Sequence, residues 1–478
     1  MITGIGGILT QAKGALVAAQ VALNTSAKNV SNINTPGYSR QRVELQAGEA
    51  TTLGNKGRSG GGVEIGGITR AASPFVDRRI VEENSSLGRL EGMSEILNQL
   101  EMAFVNDGEN GISAAVTQVF NDFRTLSTQP DAMPLRVALK ESANTLCNRF
   151  RSASESVDQV VKDADSRLEG SVIELNEHLS KIGKLNQQIM EIEFRGKAMV
   201  ANDERDARDG ELAKLAKLLP VEVTKTETGV INISSGRVGP LLNGTDAVQF
   251  KAMRADGMGV QGTLKVFRLN QVPGGKDKDI SGRIDGGAIG GLLKVRDETV
   301  PALMAKIDSM ASTLATEVNA IHRESFGRNG TKGIDFFDEP FSTKGAASMM
   351  AVSGDVANDV ANIAAGSVAN ASGDNRALLR ISDLQSAPLF DGGRASLIDV
   401  SAGMIGQLGV ELRAVHVNMD AQKGLMDQLG NMKTEISGVS LDEEALDALK
   451  FQKAFDSSAK MIQMADQMLD TVINLKRF

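Results

Sequence analysis

The chain has 478 residues, enough for roughly two to four domains, and its single cysteine, Cys147, excludes an internal disulfide framework and a multi-cysteine metal site. The 52 basic and 60 acidic residues leave a formal net charge of −8, which supplies no basic surface for nucleic acid or anionic lipid. Tryptophan is absent and tyrosine occurs once, so no aromatic platform for bases or sugars is expected.

The N-terminal segment carries a heptad stripe that ends in a turn. Its members recur at alternating steps of three and four residues: Leu9, Ala12, Leu16, Ala19, Leu23, Ser26 and Val30. This spacing predicts an amphipathic helix that needs an apolar partner. Asparagine and serine side chains then compete for backbone hydrogen bonds, and Thr35-Pro36-Gly37 predicts a turn that ends the helix.

Short strands and then helices are predicted next. The strands are indicated by Val43, Leu45, Val63, Ile65 and Ile68. Helical spacing begins near Pro74 and breaks at residues 108–111, and a second helix is predicted from Ser113 to about Gln129. Pro134 suits the first turn of the helix that follows.

The longest predicted element is a helix from about Leu139 to beyond residue 190. One heptad row contains Val161, Leu168, Leu175, Ile182 and Ile189, and the other contains Ala164, Leu185 and Ile192. From residue 161 to 192 the two rows span about 48 Å at 1.5 Å per residue. Such a stripe predicts a long helix packed against neighbours, with His178 as a hydrogen-bonded interior residue.

A change of hydrophobic period near Pro220 predicts an inserted β region. The β-branched residues around the Thr228-Gly229 turn indicate a hairpin, and glycine-rich segments at 257–262, 273–275 and 286–291 separate further short strands. Helices are predicted again from Gly290 to His322, over 376–387, and from about Ser396 to Met432.

A second heptad stripe runs almost to the last residue. Its members are Ala454, Ser458, Met461, Ala465, Met468, Val472 and Leu475. Chain ends normally fray unless they are tied down, so each stripe predicts a partner. Two partners remain open for each stripe, namely the stripe at the other end of the chain and a copy in another molecule.

These patterns predict a mainly α fold with inserted β structure. Residues 1–40 and 440–478 form a terminal coiled coil, residues 41–220 and 286–439 a bundle of long helices, and residues 221–285 a small β domain. No apolar run approaches the roughly 18 residues that span a bilayer. The first residues lack the basic and apolar parts of a cleaved signal, which predicts a cytosolic protein or export with an uncut N-terminus.

No catalytic, cofactor or metal site is predicted. The three histidines, His178, His322 and His416, fall in no metal-binding spacing. The S-x-x-K pattern at 457–460 lies inside the C-terminal stripe, which makes coincidence the better explanation. The acidic run from Asp203 to Asp209 lacks the ligand order of a calcium loop and is read as a solvated or salt-bridged helix start.

Motifs at both ends resemble one known family. The segment from Asn29 to Tyr38 closely resembles the signature after the first helix of bacterial flagellar axial proteins, the rod, hook and hook-associated proteins. The C-terminal segments with the same resemblance are Gly438–Glu444, Phe451–Phe455, Ser458–Ile462, Ala465–Leu469 and Ile473–Leu475. The two groups lie at opposite ends in the order that the family has.

Within the family the chain is most similar to hook-associated members. The similar segments are Tyr38–Gln41, Gly60–Ile65, Asp203–Asp206, Asp335–Phe337 and Gly373–Arg376. Hook and rod proteins share the ends but lack the long central helix. Larger members carry a second inserted β domain after the Phe336-Phe337 segment, which here is absent or vestigial.

The resemblance implies a structural, non-enzymatic subunit at the junction of hook and filament. Similar proteins leave the cell through the flagellar type III export apparatus without a cleaved signal, with an export chaperone. Implied partners are copies of the chain, hook protein and a second junction protein, hook-associated protein 3, but neither nucleic acid nor membrane. A hook or rod protein and a coiled-coil secreted effector or adhesin remain alternatives, as does a glycan hydrolase fused to axial ends.

The implied assembly residues come from the two stripes and from the turn. They are Leu9, Leu16, Leu23, Asn29, Val30, Asn32, Asn34, Thr35, Pro36, Gly37, Tyr38, Met461, Ile462, Ala465, Met468, Leu469, Val472 and Leu475. Alanine-rich stripes bury little area against the entropy of ordering. We therefore expect residues 9–30 and 454–475 to order only on assembly.

Overall fold

The structure is a computed structural model that falls into two compact units. It describes residues 2–49, 51–52, 58–105, 111–194, 196, 200–226, 228–254, 263–270, 275–371 and 373–475. The terminal unit comprises Met1–Gly88, Val172–Gly287 and Ala421–Phe478. The helical unit comprises Arg89–Ser171 and Ala288–Asp420. The division into three domains that the sequence suggests remains a prediction.

Helices dominate the described residues, as predicted. They are α1 (Ile2–Ser31), α2 (Pro74–Val105), α3 (Ile112–Thr128), α4 (Met133–Phe194), α5 (Asn202–Leu218), α6 (Gly287–Lys294), α7 (Val300–Glu324), α8 (Ala346–Met349), α9 (Gly354–Asn358), α10 (Arg376–Asp383), α11 (Leu397–Ser437) and α12 (Leu441–Leu475). A π-helical segment, Val295–Thr299, joins α6 to α7.

Small antiparallel sheets and two short 3-10 helices, Ser281–Arg283 and Val360–Asn362, make up the remaining regular structure of the described residues. The strands are β1 (Gln41–Ala47), β2 (Thr51–Thr52), β3 (Arg58–Ser59), β4 (Val63–Arg70), β5 (Glu222–Lys225), β6 (Ile231–Ser235), β7 (Gly239–Asn243), β8 (Asp246–Ala247), β9 (Phe250–Arg254), β10 (Leu264–Arg268), β11 (Lys278–Asp279), β12 (Phe326–Gly327) and β13 (Ala364–Gly366). The sheets have the orders β1-β4, β2-β3, β5-β6-β7-β8, β11-β10-β9 and β12-β13. The predicted strands around residues 43 and 65 are the pair β1 and β4.

The long central helix, α4, begins at Met133, before the predicted start near Leu139, and has Pro134 in its first turn, as predicted. Four members of the first heptad row, from Leu168 to Ile189, are buried. In the second row Ala164 is buried, whereas Leu185 and Ile192 differ from the prediction because they are only half-buried. A straight helix drifts about 20° per heptad relative to a 3.5-residue repeat, so the neighbouring row with Val172 and Leu179 moves inward instead.

The inserted β region begins with the predicted hairpin. The N–H of Thr226 donates to the carbonyl of Val230 at 2.9 Å, and Gly229 has a φ of 77°, which favours glycine. The hairpin continues into the four-stranded sheet β5 to β8. The predicted glycine-rich breaks at 257–262 and 273–274 lie outside the described residues.

Aromatic rings and a buried amide organise the core of the helical unit. The ring of Phe336 lies 5.1 Å from that of Phe123 and 4.8 Å from that of Phe337, measured between centroids. The side chain of Asn319 on α7 donates to the carbonyl of Phe337 at 2.8 Å and accepts the N–H groups of Phe336 and Phe337. One side chain thus fixes the backbone of the Phe-Phe segment.

The histidines and the cysteine occupy structural positions. The imidazole of His322 donates from Nδ1 to the carbonyl of Ile334 and accepts the N–H of Ala364 at Nε2. Burial lowers its pKa to about 4 although the Ile334 carbonyl opposes this. His178 lies 2.7 Å from the carboxylate of Glu211, and burial raises the pKa of the Cys147 thiol to about 12. Among the described helices, none is both long and apolar enough to span a bilayer.

Candidate assembly site

The first and last helices of the chain pack along each other, as predicted. The buried positions of α1 are mostly small residues: Ala12, Ala18, Ala19, Ala22, Thr25, Ser26 and Asn29. On α12 the buried positions include Ser458 and Ala465, of which Ala465 is 1% exposed. Small side chains let two helix axes approach closely. We call α1 and α12 together the terminal pair.

Large apolar side chains lie on the outer face of the terminal pair. Those exposed by more than a third are Ile8, Leu9, Val17, Val30, Leu441, Leu446, Leu449, Met461, Met464, Met468 and Ile473. Burying one such side chain contributes roughly 1.5–3 kcal/mol. A group of this size on two helices is typical of a surface that another protein covers. The buried members of the predicted stripes are therefore all small, whereas the large described members are half-buried or exposed and Ala454 is exposed as well.

The predicted assembly residues of the two stripes are distributed between these faces. Ala465 is buried, and half-buried side chains are those of Leu16, Leu23, Ile462, Leu469 and Val472. Leu9, Val30, Met461 and Met468 are exposed. The side chain of Leu475, the last residue of α12, lies outside the described part. Their role in assembly stays a prediction.

The turn after α1 is organised around Asn29. Its side-chain amide donates to the carbonyl of Gln41 at 2.9 Å, and its oxygen accepts the Gln41 N–H at 2.9 Å and the Tyr38 hydroxyl at 2.8 Å. Asn29 is 1% exposed, so these bonds are shielded from water. A residue in the last turn of α1 thus holds the first residue of β1.

The remaining turn residues shape the reversal. Asn32 caps the helix end by donating from its side chain to the carbonyl of Lys28 at 3.0 Å, and Thr35 donates its hydroxyl to the side chain of Asn32. The N–H of Tyr38 donates to the Thr35 carbonyl across Pro36 and Gly37, and Gly37 has a φ of 82°, as a type II turn requires. Asn34, Thr35, Pro36 and Gly37 are exposed.

Residues 38–41, called the clasp here, contact the start of α5 on one side. Both the N–H and the hydroxyl of Ser39 donate to the carboxylate of Asp206 at 2.8 Å. The side chain of Gln41 donates to Asp203 at 2.8 Å, and Lys28 pairs with the same carboxylate at 2.7 Å. The acidic run is therefore a salt-bridged helix start, one of the two readings expected from the sequence.

Arg70, at the end of β4, reinforces this side. Its guanidinium donates to Asp206 and to Asp209, at 2.6 Å in each case. The side chains of Arg70 and Asp206 are 12% and 8% exposed, so the charges are largely removed from water. Such pairs are stable only when the geometry satisfies both partners, and here Asp206 accepts three hydrogen bonds.

On its other side the clasp contacts the start of α12 through Arg40. Its Nε lies 2.6 Å from Oε1 of Glu444, and its other nitrogens pair with Glu443 and, at 3.4 Å, with Asp447. The N–H of Arg40 also donates to the carbonyl of Ser437 at 2.8 Å. The acidic first turn of α12 thus binds a guanidinium from the opposite end of the sequence.

The charges around the clasp shift pKa values in a consistent direction. Burial, followed by the nearby carboxylates of Asp203, Asp206 and Glu444, raises the pKa of Tyr38 to about 12. Burial alone lowers the pKa of Arg40, but its carboxylate hydrogen bonds outweigh this and the pKa is raised. Both groups therefore keep a fixed charge state throughout the physiological pH range.

The central residues of the clasp were not among the predicted site residues. Ser39, Arg40 and Glu444 entered the sequence argument only as parts of family motifs. Their partners are distant in the sequence: Arg40 and Glu444 are 404 positions apart. No local pattern identifies such a pair. Within the described residues, no group of three or more histidine, cysteine, aspartate or glutamate side chains is arranged to hold a metal ion.

Three known protein families match this chain, one in its central part and one at each end. The family described as "Flagellar hook-associated protein FlgK helical domain" matches residues 97–337, just over half of the chain. The chain belongs to this flagellar hook-associated protein family. The families "Flagella basal body rod protein" and "Flagellar basal body rod FlgEFG protein C-terminal" match residues 9–38 and 432–475, which contain most of α1 and all of α12.

Curated relatives of the family match along their whole length. Flagellar hook-associated protein 1 of Bacillus subtilis is 26% identical over 98% of this chain and 97% of its own length. The proteins of the same name from Escherichia coli and Salmonella typhimurium are 23% and 24% identical, over 99% of this chain and 100% of their own. This chain is thus a structural flagellar protein of the hook-associated protein 1 type.

A solved structure of the same family shares the fold. The flagellar hook junction protein FlgK from Burkholderia pseudomallei matches with a TM-score of 0.67 over 75% of this chain and 100% of that one. The sequence identity is 15%, so the likeness concerns the fold. It agrees with the predicted architecture of long helices, inserted β structure and paired ends.

Proposed function

We propose that this chain joins the hook to the filament of a bacterial flagellum and assembles with its own copies through the terminal pair. The observation that carries the proposal is the distribution of small and large side chains on the two helices. Small residues fill the buried positions of the contact between α1 and α12, and large apolar side chains such as Leu9, Met464 and Met468 remain exposed for neighbouring subunits. A helix pair of this kind suits the wall of a tube built from many copies.

The proposed partners follow from the family and from this surface. Copies of the chain lie beside one another, hook protein lies on one side of the layer, and the second junction protein, hook-associated protein 3, lies on the other. An export chaperone and the type III export apparatus handle the chain before assembly, and the final location is outside the cell. The role is structural, without catalysis or a cofactor.

A deletion strain tests the junction role. We expect cells that lack this chain to form hooks without filaments and to shed filament subunits into the medium. The wild-type gene restores filaments, whereas Met464→Glu on the outer face of α12 does not, because a charge in an apolar subunit contact is costly to desolvate.

The neighbouring substitution Gln463→Glu is the matched control. It adds the same charge to the same helix at an exposed polar position and should support filaments. Filaments on the hooks of the deletion strain would refute the junction role. Equal loss of filaments in both variants would refute the assignment of the apolar outer face as the assembly surface.

A further inference from the structure

We propose that the clasp holds the base of the terminal pair in the free subunit, so that only the outer part of the pair orders on assembly. In this view Asp206 and Arg40 are positioning residues. They fix α1 from about Thr25 onward and α12 as far as about Phe451. The proposal deepens the assembly role proposed above, on which its purpose rests, and it narrows the range of residues expected to be disordered.

The clasp can contact α5 and α12 at the same time because it is extended. Successive side chains of an extended segment point to opposite sides. Ser39 and Gln41 accordingly reach the carboxylates of α5, and Arg40 between them reaches those of α12. A displacement of the segment on one side therefore disturbs the contacts on the other.

Burial makes the two sets of contacts interdependent. The side chains of Arg40 and Glu444 are 8% and 2% exposed, and that of Asp206 is 8% exposed. Charges removed from water to this degree need all their partners in place. Backbone bonds add to the clasp, because the carbonyl of Arg40 accepts the N–H of Ala71 and its N–H donates to Ser437.

The outer part of the terminal pair has no comparable buried anchor, since the side chain of Gln11 on α1 donates to the carbonyl of Gly60 at an exposed position. Among the described residues, no ion pair or side-chain hydrogen bond joins α1 to α12. The fully buried side chains there are mostly those of alanines, and the larger ones, such as Leu16 and Leu469, are only half-buried, so their burial releases little free energy against the entropy of ordering two helices. The boundary of order thus falls one to two turns beyond the clasp contacts.

Hydrogen exchange on the purified wild-type subunit tests the boundary. We expect the amides of residues 25–31, 38–41 and 444–451 to exchange at least about tenfold more slowly than those of residues 9–20 and 461–473. The proposal would be overturned if the amides of residues 444–451 exchanged as fast as those of residues 461–473. Equal and strong protection along all of α12 would overturn it as well.

A variant that does not touch α12 tests the coupling. Asp206→Asn removes the charge that Ser39 and Arg70 bind and keeps the shape of the side chain. We expect exchange at residues 444–451 to rise by about tenfold, and by reciprocity Glu444→Gln should raise exchange at Ser39 and Gln41. Wild-type exchange of α12 in Asp206→Asn would overturn the coupling.

Glu193→Gln provides the matched control. It removes the carboxylate that pairs with Arg205 on the same helix, α5, at 2.8 Å, without any contact to the clasp. We expect α12 to keep its wild-type exchange in this variant. An equal rise in both variants would show general loosening and overturn the proposal. Filament formation in the deletion strain tests the junction role separately, so either idea can fail alone.

Discussion

Arg40 and Glu444 form a nearly buried ion pair, with 2.6 Å between Nε and Oε1, across 404 positions of the sequence. The pair links the segment that follows the first helix to the first turn of the last helix. Apolar contact between the helices is thus supplemented by a contact that specifies which residues meet. Such a contact fixes the register of the terminal pair.

Loss of one partner of this pair should open the start of α12. Breaking a buried ion pair leaves an uncompensated charge and costs about 3–5 kcal/mol. We therefore expect Arg40→Gln or Glu444→Gln to speed tryptic cleavage after Lys450 by a hundredfold or more, a factor of roughly ten for each 1.4 kcal/mol. Cleavage is measured on the native protein by mass spectrometry.

Two further variants sharpen this prediction. Arg40→Met combined with Glu444→Met replaces the pair by apolar groups and should restore most of the resistance to trypsin. Arg376→Gln removes an exposed arginine that pairs with Asp374 in the helical unit and should leave cleavage at Lys450 unchanged. Normal resistance in Arg40→Gln would show that the pair does not hold α12.

Asn29→Ala should release the first residue of β1. The substitution leaves the buried N–H and carbonyl of Gln41 without partners, which costs about 1–3 kcal/mol. We expect the Gln41 amide to exchange roughly tenfold to a hundredfold faster, as measured by nuclear magnetic resonance. Asn34→Ala changes an exposed asparagine of the same turn and should have no effect on that amide. Equal rates in wild type and Asn29→Ala would contradict the assigned role.

A larger residue in the buried contact between α1 and α12 should prevent the close approach of these two helices. Ala465 is 1% exposed, and added methylene groups in a packed contact cost typically about 1–3 kcal/mol. We expect Ala465→Leu to reduce the number of filaments per cell in the complemented deletion strain. Ala454→Leu makes the same change at an exposed position of α12 and should be tolerated. Equal filament counts in Ala465→Leu and Ala454→Leu would show that the contact between α1 and α12 tolerates the larger side chain.

Acid should destabilise the helical unit through His322. Its pKa is about 4 when folded, below the usual value of 6.5, so the unfolded chain binds a proton that the folded chain does not bind. Its contribution to stability is therefore present above pH 6.5 and is lost as the pH falls toward 4. At 1.36 kcal/mol per pH unit the loss is about 3 kcal/mol.

Urea unfolding at pH 7 and pH 4.5 measures this effect. In His322→Gln, whose side chain cannot be protonated, the difference between the two free energies of unfolding should shrink by roughly 2–3 kcal/mol. An unchanged difference in His322→Gln would remove the histidine from the acid response.

Periodicity was sufficient to predict the helices but not which residues of a stripe face inward. The heptad spacing predicted α1, α4 and α12, and local turn chemistry predicted the end of α1 and the β5–β6 hairpin. In the predicted stripe of α1 the buried members are Ala12, Ala19 and Ser26, while Leu9 and Val30 are exposed. From the sequence, each stripe could pack against the stripe at the other end of the chain or against another molecule. In the structure the small residues pack between the two ends of the same chain.

The clasp could not be derived from local patterns. Ser39, Arg40 and Asp206 are ordinary polar residues, and their meaning depends on three chain segments that meet only in the folded protein. The acidic start of α12 suited the helix dipole, which explains acids in a first turn without requiring an arginine partner. In the sequence, only the resemblance of these segments to flagellar axial proteins indicated a role in assembly.

The single tyrosine of this tryptophan-free chain lies within the clasp, with its hydroxyl on Asn29. The tyrosine fluorescence of the whole protein therefore originates at one position within the clasp. No introduced dye is needed to follow that position in time, and sixteen phenylalanines add only a weak background at shorter wavelengths. The molecule carries its own optical reporter at the point where its two ends meet.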